Sequence, residues 1–484
     1  KTSAVMGKRA GRGSCAQVEP ADRAVAEDLV RQGEELLDSD PSSALEHFDR
    51  AIEAQPTSQV AWYNRGAAAT ELWDNAAASE RSQLLDTACR SFRQVLVLDT
   101  SKRGEVRYLS TLACARLLTR AASSWEDDAT PNTDLQTEAL TEASNGFEEA
   151  LRLTEQWGHE GFDDEAWGSW GECLAHRMRL EVDADGGQDT CRSPARMEAI
   201  TSLCAAASDK FSRATQAEIA DEAMGGSDLH WMTLHVEHLL FFVNFARKGL
   251  GVEGAMLEEL GAKATMAWSE ALTLAQGNVQ LAGQGWQPLA LLGDVFGAAV
   301  GLLMALARHQ PGVRLPLPVE ASPTSVSGTW ESIAPTSGTE GWLDEALALA
   351  RCEAAYQEAV ARDSAAAATT GLALGELYLD MARVPRAAEE REACLKRAAG
   401  SLQMVAALSG VDAESAATAW YDLACIAGLL GKPDHVVEAL RRCFDRVQRS
   451  FPERLSKWIQ EAREDDDVAR VRDHPEIQRL LQVP

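Results

Sequence analysis

The chain is 484 residues long and carries 74 acidic against 46 basic side chains, a formal net charge of −28 at pH 7. That charge disfavours nucleic acid and anionic lipid as partners and favours basic segments. With 45% hydrophobic but only 6% aromatic residues, and apolar residues recurring at three and four positions, the composition predicts helix nearly throughout.

The amino terminus differs in kind from the rest. Among its first 18 residues stand Lys1, Lys8, Arg9 and Arg12 with no acid, in a setting of Ser, Ala and Gly. This resembles the flank of an organelle transit peptide. A disordered basic tail of a cytosolic protein, or a truncation boundary, accounts for the same residues. Residues 1–20 are therefore read as a basic flexible tail. The protein is expected to be soluble and intracellular, with chloroplast, mitochondrion and cytoplasm left open.

From residue 21 onward small and large apolar residues fall at recurring offsets. Gly33 lies on one predicted helix, and Ala44, Phe48 and Ala51 on the next, with Pro56 just past its end. A second pair opens with Trp62 and Gly66 and closes with Ala88, Phe92 and Val95; its halves are too far apart, which predicts an insertion around Asn75 to Arg81. Tyr108 and Leu112 begin a third pair, returning at Ala143, Phe147 and Ala150 after the polar loop from Ser123 to Thr133. Trp167, Trp170 and Gly171 begin a fourth, returning at Ala207, Phe211 and Ala214. A fifth joins the helix Leu229 to Arg247 to Ala264, Trp268 and Ala271. The run Trp286 to Ala307 joins Cys352, Tyr356 and Ala359 in a sixth. Within that run Gly293, Asp294, Gly297 and Gly301 suit a buried helix better than a membrane span. Leu374, Gly375 and Tyr378 mark a seventh pair, and Trp420, Leu423, Leu430 and Gly431 an eighth. The polar-faced stretch from Trp458 to Leu481 reads as a terminal cap.

Small residues at these offsets let two helix axes approach, while an aromatic fills the gap between neighbours. The pattern resembles the tetratricopeptide repeat, whose unit of roughly 34 residues carries W-x2-L-G-x2-Y, A-x3-F and P. The resemblance covers most of residues 21 to 482, most clearly in the first two units and the last. It implies an all-α, right-handed superhelical solenoid of seven to eight helix pairs with a capping C-terminal helical segment. The array is expected over residues 21–308 and again, with the cap, over 342–482. Between them residues 309–341, rich in Pro, Ser, Thr and Gly, form a loop inside one pair, with Leu315, Leu317 and Trp330 as anchors. A loop of that length inside a hairpin is uncommon without a function.

The resemblance also implies a role. It points to a non-catalytic protein–protein interaction scaffold, or an assembly subunit of a larger complex, holding a partner segment on the concave face. Asn64, Arg65, Arg103 and Arg107 are the partner-binding residues expected there. The alternative is a transient adaptor or cochaperone-like regulator that steers basic clients. Family members that bind the carboxyl tails of cytosolic chaperones use a clamp of Lys and Asn on the first helix, Asn on the third, and Lys and Arg on the fifth. Matched position by position, only Asn64 fits. Val30 and Glu34 occupy the first-helix positions, and Gly104 and Tyr108 the last, with Arg103 and Arg107 one residue away. A glutamate inside the clamp repels a carboxylate, so binding of such tails is not expected.

Chemical motifs are sparse, and no catalytic residue, cofactor or metal is assigned. Gly249, Gly251 and Gly254 spell G-x-G-x-x-G but follow a predicted helix, whereas a dinucleotide site needs a strand. Glu181, Asp183, Asp185 and Gly186 imitate a calcium loop until its last ligand, where Arg192 stands. His230, His235 and His238 share a helix with Glu237, but their order matches no zinc motif and their flanks are apolar. The acidic clusters at Glu126, Asp163 and Asp465 read as solvated loops or first helical turns. Ten cysteines without a C-x2-C pair, several at small-residue positions, read as buried thiols in a reducing interior.

Overall fold

The computed structural model describes residues 20–99, 104–124, 133–157, 163–183, 194–220, 227–248, 255–281, 285–307, 314–316 and 342–482. The basic tail, Arg103, the G-x-G-x-x-G stretch, Asp185 to Arg192, Leu317 and Trp330 lie outside the described residues, as do Cys15 and Cys191.

Among the described residues the chain is all-α, apart from one short ribbon, and its helices pair in chain order. The pairs are α1 (Pro20–Leu36) with α2 (Pro41–Ala54), α3 (Gln59–Asn75) with α4 (Ala78–Leu98), α5 (Glu105–Ser124) with α6 (Thr133–Trp157), and α7 (Asp163–Asp183) with α8 (Pro194–Ala220). They continue with α9 (Ser227–Lys248) and α10 (Ala255–Leu281), α11 (Gln287–Ala307) and α12 (Glu345–Arg362), α13 (Ala366–Arg383) and α14 (Ala388–Ala407), and α15 (Ala413–Leu429) and α16 (Pro433–Ser450). Three short helices follow: α17 (Leu455–Glu464), α18 (Asp466–Ala469) and α19 (Pro475–Leu481). The chain divides into two compact units, Lys1–Gly187 with Glu198–Trp231, and Gln188–Met197 with Met232–Pro484.

One packing rule builds the pairs. In five of the eight pairs the first helix offers a residue without a side chain, and the second lays a large side chain across it. A Cβ on Gly33 would stand 2.5 Å from the ring of Phe48, and one on Gly66 2.6 Å from Phe92. The same close approach joins Gly171 to Phe211, Gly293 to Tyr356 and Gly375 to Leu402. The flanking small residues are sealed: Ala44, Phe48 and Ala51 have no exposed surface, nor do Ala143, Phe147 and Ala150. Each fully buried ring contributes on the order of 2 kcal/mol, so the repeated wedge is the main cohesive term of each pair. In the last two pairs the same register holds Leu402 and Leu440, both fully buried. Leucine there hides the pattern from an A-x3-F reading.

The expected insertion at Asn75 to Arg81 is corrected. Helix α3 runs to Asn75 and α4 begins at Ala78, so only a two-residue turn separates them. The additional residues lengthen both helices at the hairpin tip. Alanine-rich sequence without Gly or Pro extends a helix more readily than it opens a loop, and an antiparallel pair must grow on both arms together.

Helix starts follow from local chemistry. Asp40 caps α2 by accepting from the Ser43 amide at 3.1 Å with Pro41 following, Ser58 caps α3, Asp344 caps α12 and Asp412 caps α15. Gly431, two residues past the end of α15, has a φ of 64° that suits the turn into α16. The loop between α11 and α12 is closed by two antiparallel residue pairs, Leu315 with Leu343 and Pro316 with Trp342. Leu315 is buried.

Helix α11 is long and apolar enough to cross a membrane, yet 83% of its apolar window is buried. It packs against α10, α12 and α13, which makes it the core helix of the second unit.

Candidate interaction surfaces

In the first unit successive first helices touch, α1 with α3, α3 with α5 and α5 with α7. The residues expected to meet a partner there are largely engaged within the array. Asn64 is 6% exposed, and its amide donates to Glu34 at 2.9 Å. Arg65 donates from Nε to Asp49 and from Nη1 to Ser91 at 2.8 Å, so it points towards α2 and α4. Arg107 stands 3.6 Å from Glu149. Asn64, Arg65 and Arg107 therefore do not present three open side chains on one face.

Three further arginines of this unit are matched to acids on other helices: Arg93 with Glu142, Arg116 with Glu165 and Arg120 with Asp74. Glu149 sits below its ordinary value because Arg152 donates to it, and Glu172 is lowered by His230 at 2.9 Å. Trp167 and Trp170 stack at 5.7 Å beneath Lys210, whose ammonium is 4.4 Å from the Trp170 ring.

The second unit also pairs charges between helices, as Arg397 with Glu353 and Arg441 with Glu476, and adds a further feature. Helices α11, α13 and α15, each the first of its pair, touch in succession and carry a row of carboxylates: Asp294, Glu376, Asp380 and Asp422. Burial pushes Asp294 up to about 6, against the hydroxyl of Tyr356 that donates to it. Glu376 is raised by burial and then by Asp380 and Asp294. Burial pushes Asp422 up to about 8, helped by Glu376, Asp380 and Asp465 and opposed by Arg383. The Oδ2 atom of Asp422 is buried with no hydrogen-bond partner. Burial is the leading cause in all three, and like charges add to it at Glu376 and Asp422.

This row was missed in the sequence, although a signal existed. Asp294 follows Gly293 and Glu376 follows Gly375, so an acid stands directly after the packing glycine in two consecutive first helices.

Other constellations are structural. Among the described residues one group has metal-ligand spacing, Cys425 with Asp465 and Asp467. Asp465 caps α18 through Oδ1, its Oδ2 accepts from Tyr421 at 3.3 Å and Cys425 at 3.6 Å, and Asp467 is bound by Arg383 at 2.9 Å. These carboxylates already serve a helix start and an ion pair. The helix-start reading of Asp465 is thereby met. His235 and His238 are each 4% exposed and burial pushes both down to about 4, while His230 turns to Glu172. The eight described cysteines form no disulfide and are buried.

No protein-family profile matches the sequence, and no curated protein matches it. Among solved structures the chain is similar to a circular tandem repeat protein with novel repeat topology and enhanced subunit contact surfaces, at 12% identity over 95% of this chain and 90% of that one, with a TM-score of 0.28. It is also similar to the TPR domain of P58(IPK), at 14% identity over 94% and 98%, with a TM-score of 0.24. The pairing of the helices is read from the glycine and aromatic contacts within the chain itself.

Proposed function

We propose that this chain is a non-catalytic scaffold, an assembly subunit whose second unit holds a basic segment of a protein partner along Asp294, Glu376, Asp380 and Asp422. The supporting observation is the buried, unpartnered oxygen of Asp422 within a row of carboxylates on touching helices. A lysine or arginine placed there would satisfy that oxygen and relieve the repulsion that raises the row. The formal charge of −28 adds long-range attraction for such a segment.

Chaperone carboxyl tails are not expected as ligands. Asn64, the single match to the clamp, is bonded to Glu34, and a nanomolar complex with such a tail would overturn this part of the reading.

The test is a crosslinked pull-down with mass spectrometry, comparing the wild-type chain with the triple variant Asp294→Asn, Glu376→Gln, Asp422→Asn. A scaffold retains its partner in stoichiometric amount through moderate salt, and the variant loses it. Loss of the partner from the wild type in moderate salt favours the transient adaptor instead. Equal capture by both proteins removes the acidic row from the proposal.

A further inference from the structure

Two of the buried thiols in the first unit stand against each other. Cys89 lies on α4 and Cys114 on α5, the second helix of one pair and the first helix of the next, and these two helices pack together. Both residues belong to one buried cluster with Ala88, Phe92, Ala115 and Leu117, and they are 4% and 9% exposed. The Cys114 thiol donates to the Cys89 sulfur, so the two sulfur atoms are in contact. Cysteines whose sulfurs meet across adjacent helices can be bridged by a small adjustment of their side chains.

This pair differs from the other thiols. Among the described residues no second cysteine bears on Cys173, Cys352, Cys394, Cys425 or Cys443, and burial pushes all five of those thiols up. Cys89 is lowered instead, first by the bond from Cys114 and also by the charge of Arg93, against its own burial. The charges that reach the pair show where it lies. Arg93 stands one turn beyond Cys89 on α4 and bridges to Glu142 on α6, and both bear on each thiol. The Arg93 and Glu142 side chains are 51% and 46% exposed, so the thiols sit close beneath an ion pair at the surface. Exposed pairs of this kind are held weakly, which lets a small neutral oxidant reach the sulfurs below.

We propose that Cys89 and Cys114 form a reversible disulfide that ties the second helix pair to the third, with a hydroperoxide as the oxidant. The Cys89 thiolate attacks one oxygen of hydrogen peroxide, and the O–O bond breaks. Hydroxide leaves and takes up a proton, giving a sulfenic acid on Cys89 and one water. The Cys114 sulfur then attacks the Cys89 sulfur and gives up its proton as the S–O bond breaks, which releases a second water. Two thiols are oxidised and one peroxide is reduced to two waters. Cys89 is the attacking thiol because its thiolate is the one its surroundings favour, and Cys114 resolves it. The bond closes the chain from residue 89 to residue 114, which removes freedom from the unfolded state. In a reducing compartment such a bond is transient and reports an oxidant. The tie is independent of the carboxylate row, which belongs to the second unit.

The experiment treats the reduced full chain with hydrogen peroxide, quenches it with N-ethylmaleimide under denaturing conditions, and maps the tryptic peptides by mass spectrometry. The expected product joins residues 82–90 to residues 108–116 with the loss of two hydrogens, and dithiothreitol reverses it. The same treatment in urea should scatter links among the ten cysteines. Oxidation should raise the thermal midpoint of the wild type by at least about 5 °C, and neither C89A nor C114A should respond. In C114A the sulfenic acid on Cys89 persists and is labelled by dimedone, whereas C89A leaves Cys114 unlabelled. A folded chain that forms no such link, or links other cysteines instead, overturns the proposal. Dimedone on Cys114 rather than on Cys89 does so as well.

Discussion

The two units share a packing rule and ion pairs between helices, in the second as Arg397 with Glu353 and Arg441 with Glu476, and differ in one set of carboxylates. In the first, arginines on one helix meet acids on another, as Arg93 meets Glu142 and Arg116 meets Glu165, so charge helps set which helices stand side by side. In the second, Asp294, Glu376 and Asp422 face one another across touching helices, and Arg383 is the arginine that bears on Asp422. Like charges held together cost stability, and Arg383, 3.2 Å from Asp380, offsets part of that cost. The contrast marks the second unit's first helices as the surface to test for a basic partner.

The packing rule itself can be broken differently in each unit, with the largest expected effect. In the second unit a Cβ on Gly428 would stand 2.2 Å from the backbone carbonyl of Asp467, because the cap rests directly on α15. Backbone cannot turn aside as a side chain can, so Gly428→Ala should cost about 3 kcal/mol and unseat α18. In the first unit a Cβ on Gly66 meets the ring of Phe92 at 2.6 Å. There the gain in helix propensity offsets part of the clash, and Gly66→Ala should cost about 1 kcal/mol. Hydrogen exchange, which reads each unit separately, checks both. Unchanged protection of α15 in Gly428→Ala would show that the cap does not sit there.

The charge contrast predicts opposite responses to pH. Glu149 and Glu172 have folded values below the ordinary 4.5, so their stabilisation is present above that value and is lost as pH falls through the folded values. Asp422 is raised from 3.8 to about 8, so the folded state holds its proton more tightly, and stability is lost as pH rises through 8. Asp294 acts in the same direction up to about 6. His235 and His238, lowered from 6.5 to about 4, oppose the carboxylates below 6.5 and are neutral in both states above it. From pH 6.5 to about 8 the row sets the slope, with Asp422 facing Glu376, Asp380, Asp465 and Arg383. Urea denaturation across that interval should show a loss of about 1 kcal/mol, which Asp422→Asn abolishes. A slope that survives the substitution places the titrating group elsewhere.

The architecture was legible because its rule is written in residue size. Ala44, Phe48 and Ala51 repeat as Ala143, Phe147 and Ala150, and the structure seals both sets. Where leucine replaces the ring, at Leu402 and Leu440, size alone could not single out the helix. Helix length was misread at Asn75 to Arg81 because spacing cannot distinguish a loop from added turns on two arms. The surface was less legible still. Asn64 reads as a groove residue by position, but its burial depends on Glu34, 30 residues away. The carboxylate row requires knowing that α11, α13 and α15 touch, which no local pattern states.

The smallest effects separate the two kinds of polar contact within the first unit. Arg116 and Glu165 are 43% and 46% exposed, and such a pair is screened and loses side-chain entropy on forming, so Arg116→Ala should change stability by less than about 0.5 kcal/mol. Asn64→Ala removes a buried amide and leaves Glu34 without its donor, which should cost about 1 kcal/mol. Urea midpoints of the two variants decide between them. If Arg116→Ala proves the costlier, the first unit is held in register by its ion pairs, and its charge has a structural weight that a surface of matched pairs does not ordinarily carry. If Asn64→Ala is costlier, the glycine and ring contacts with their buried hydrogen bonds hold the register.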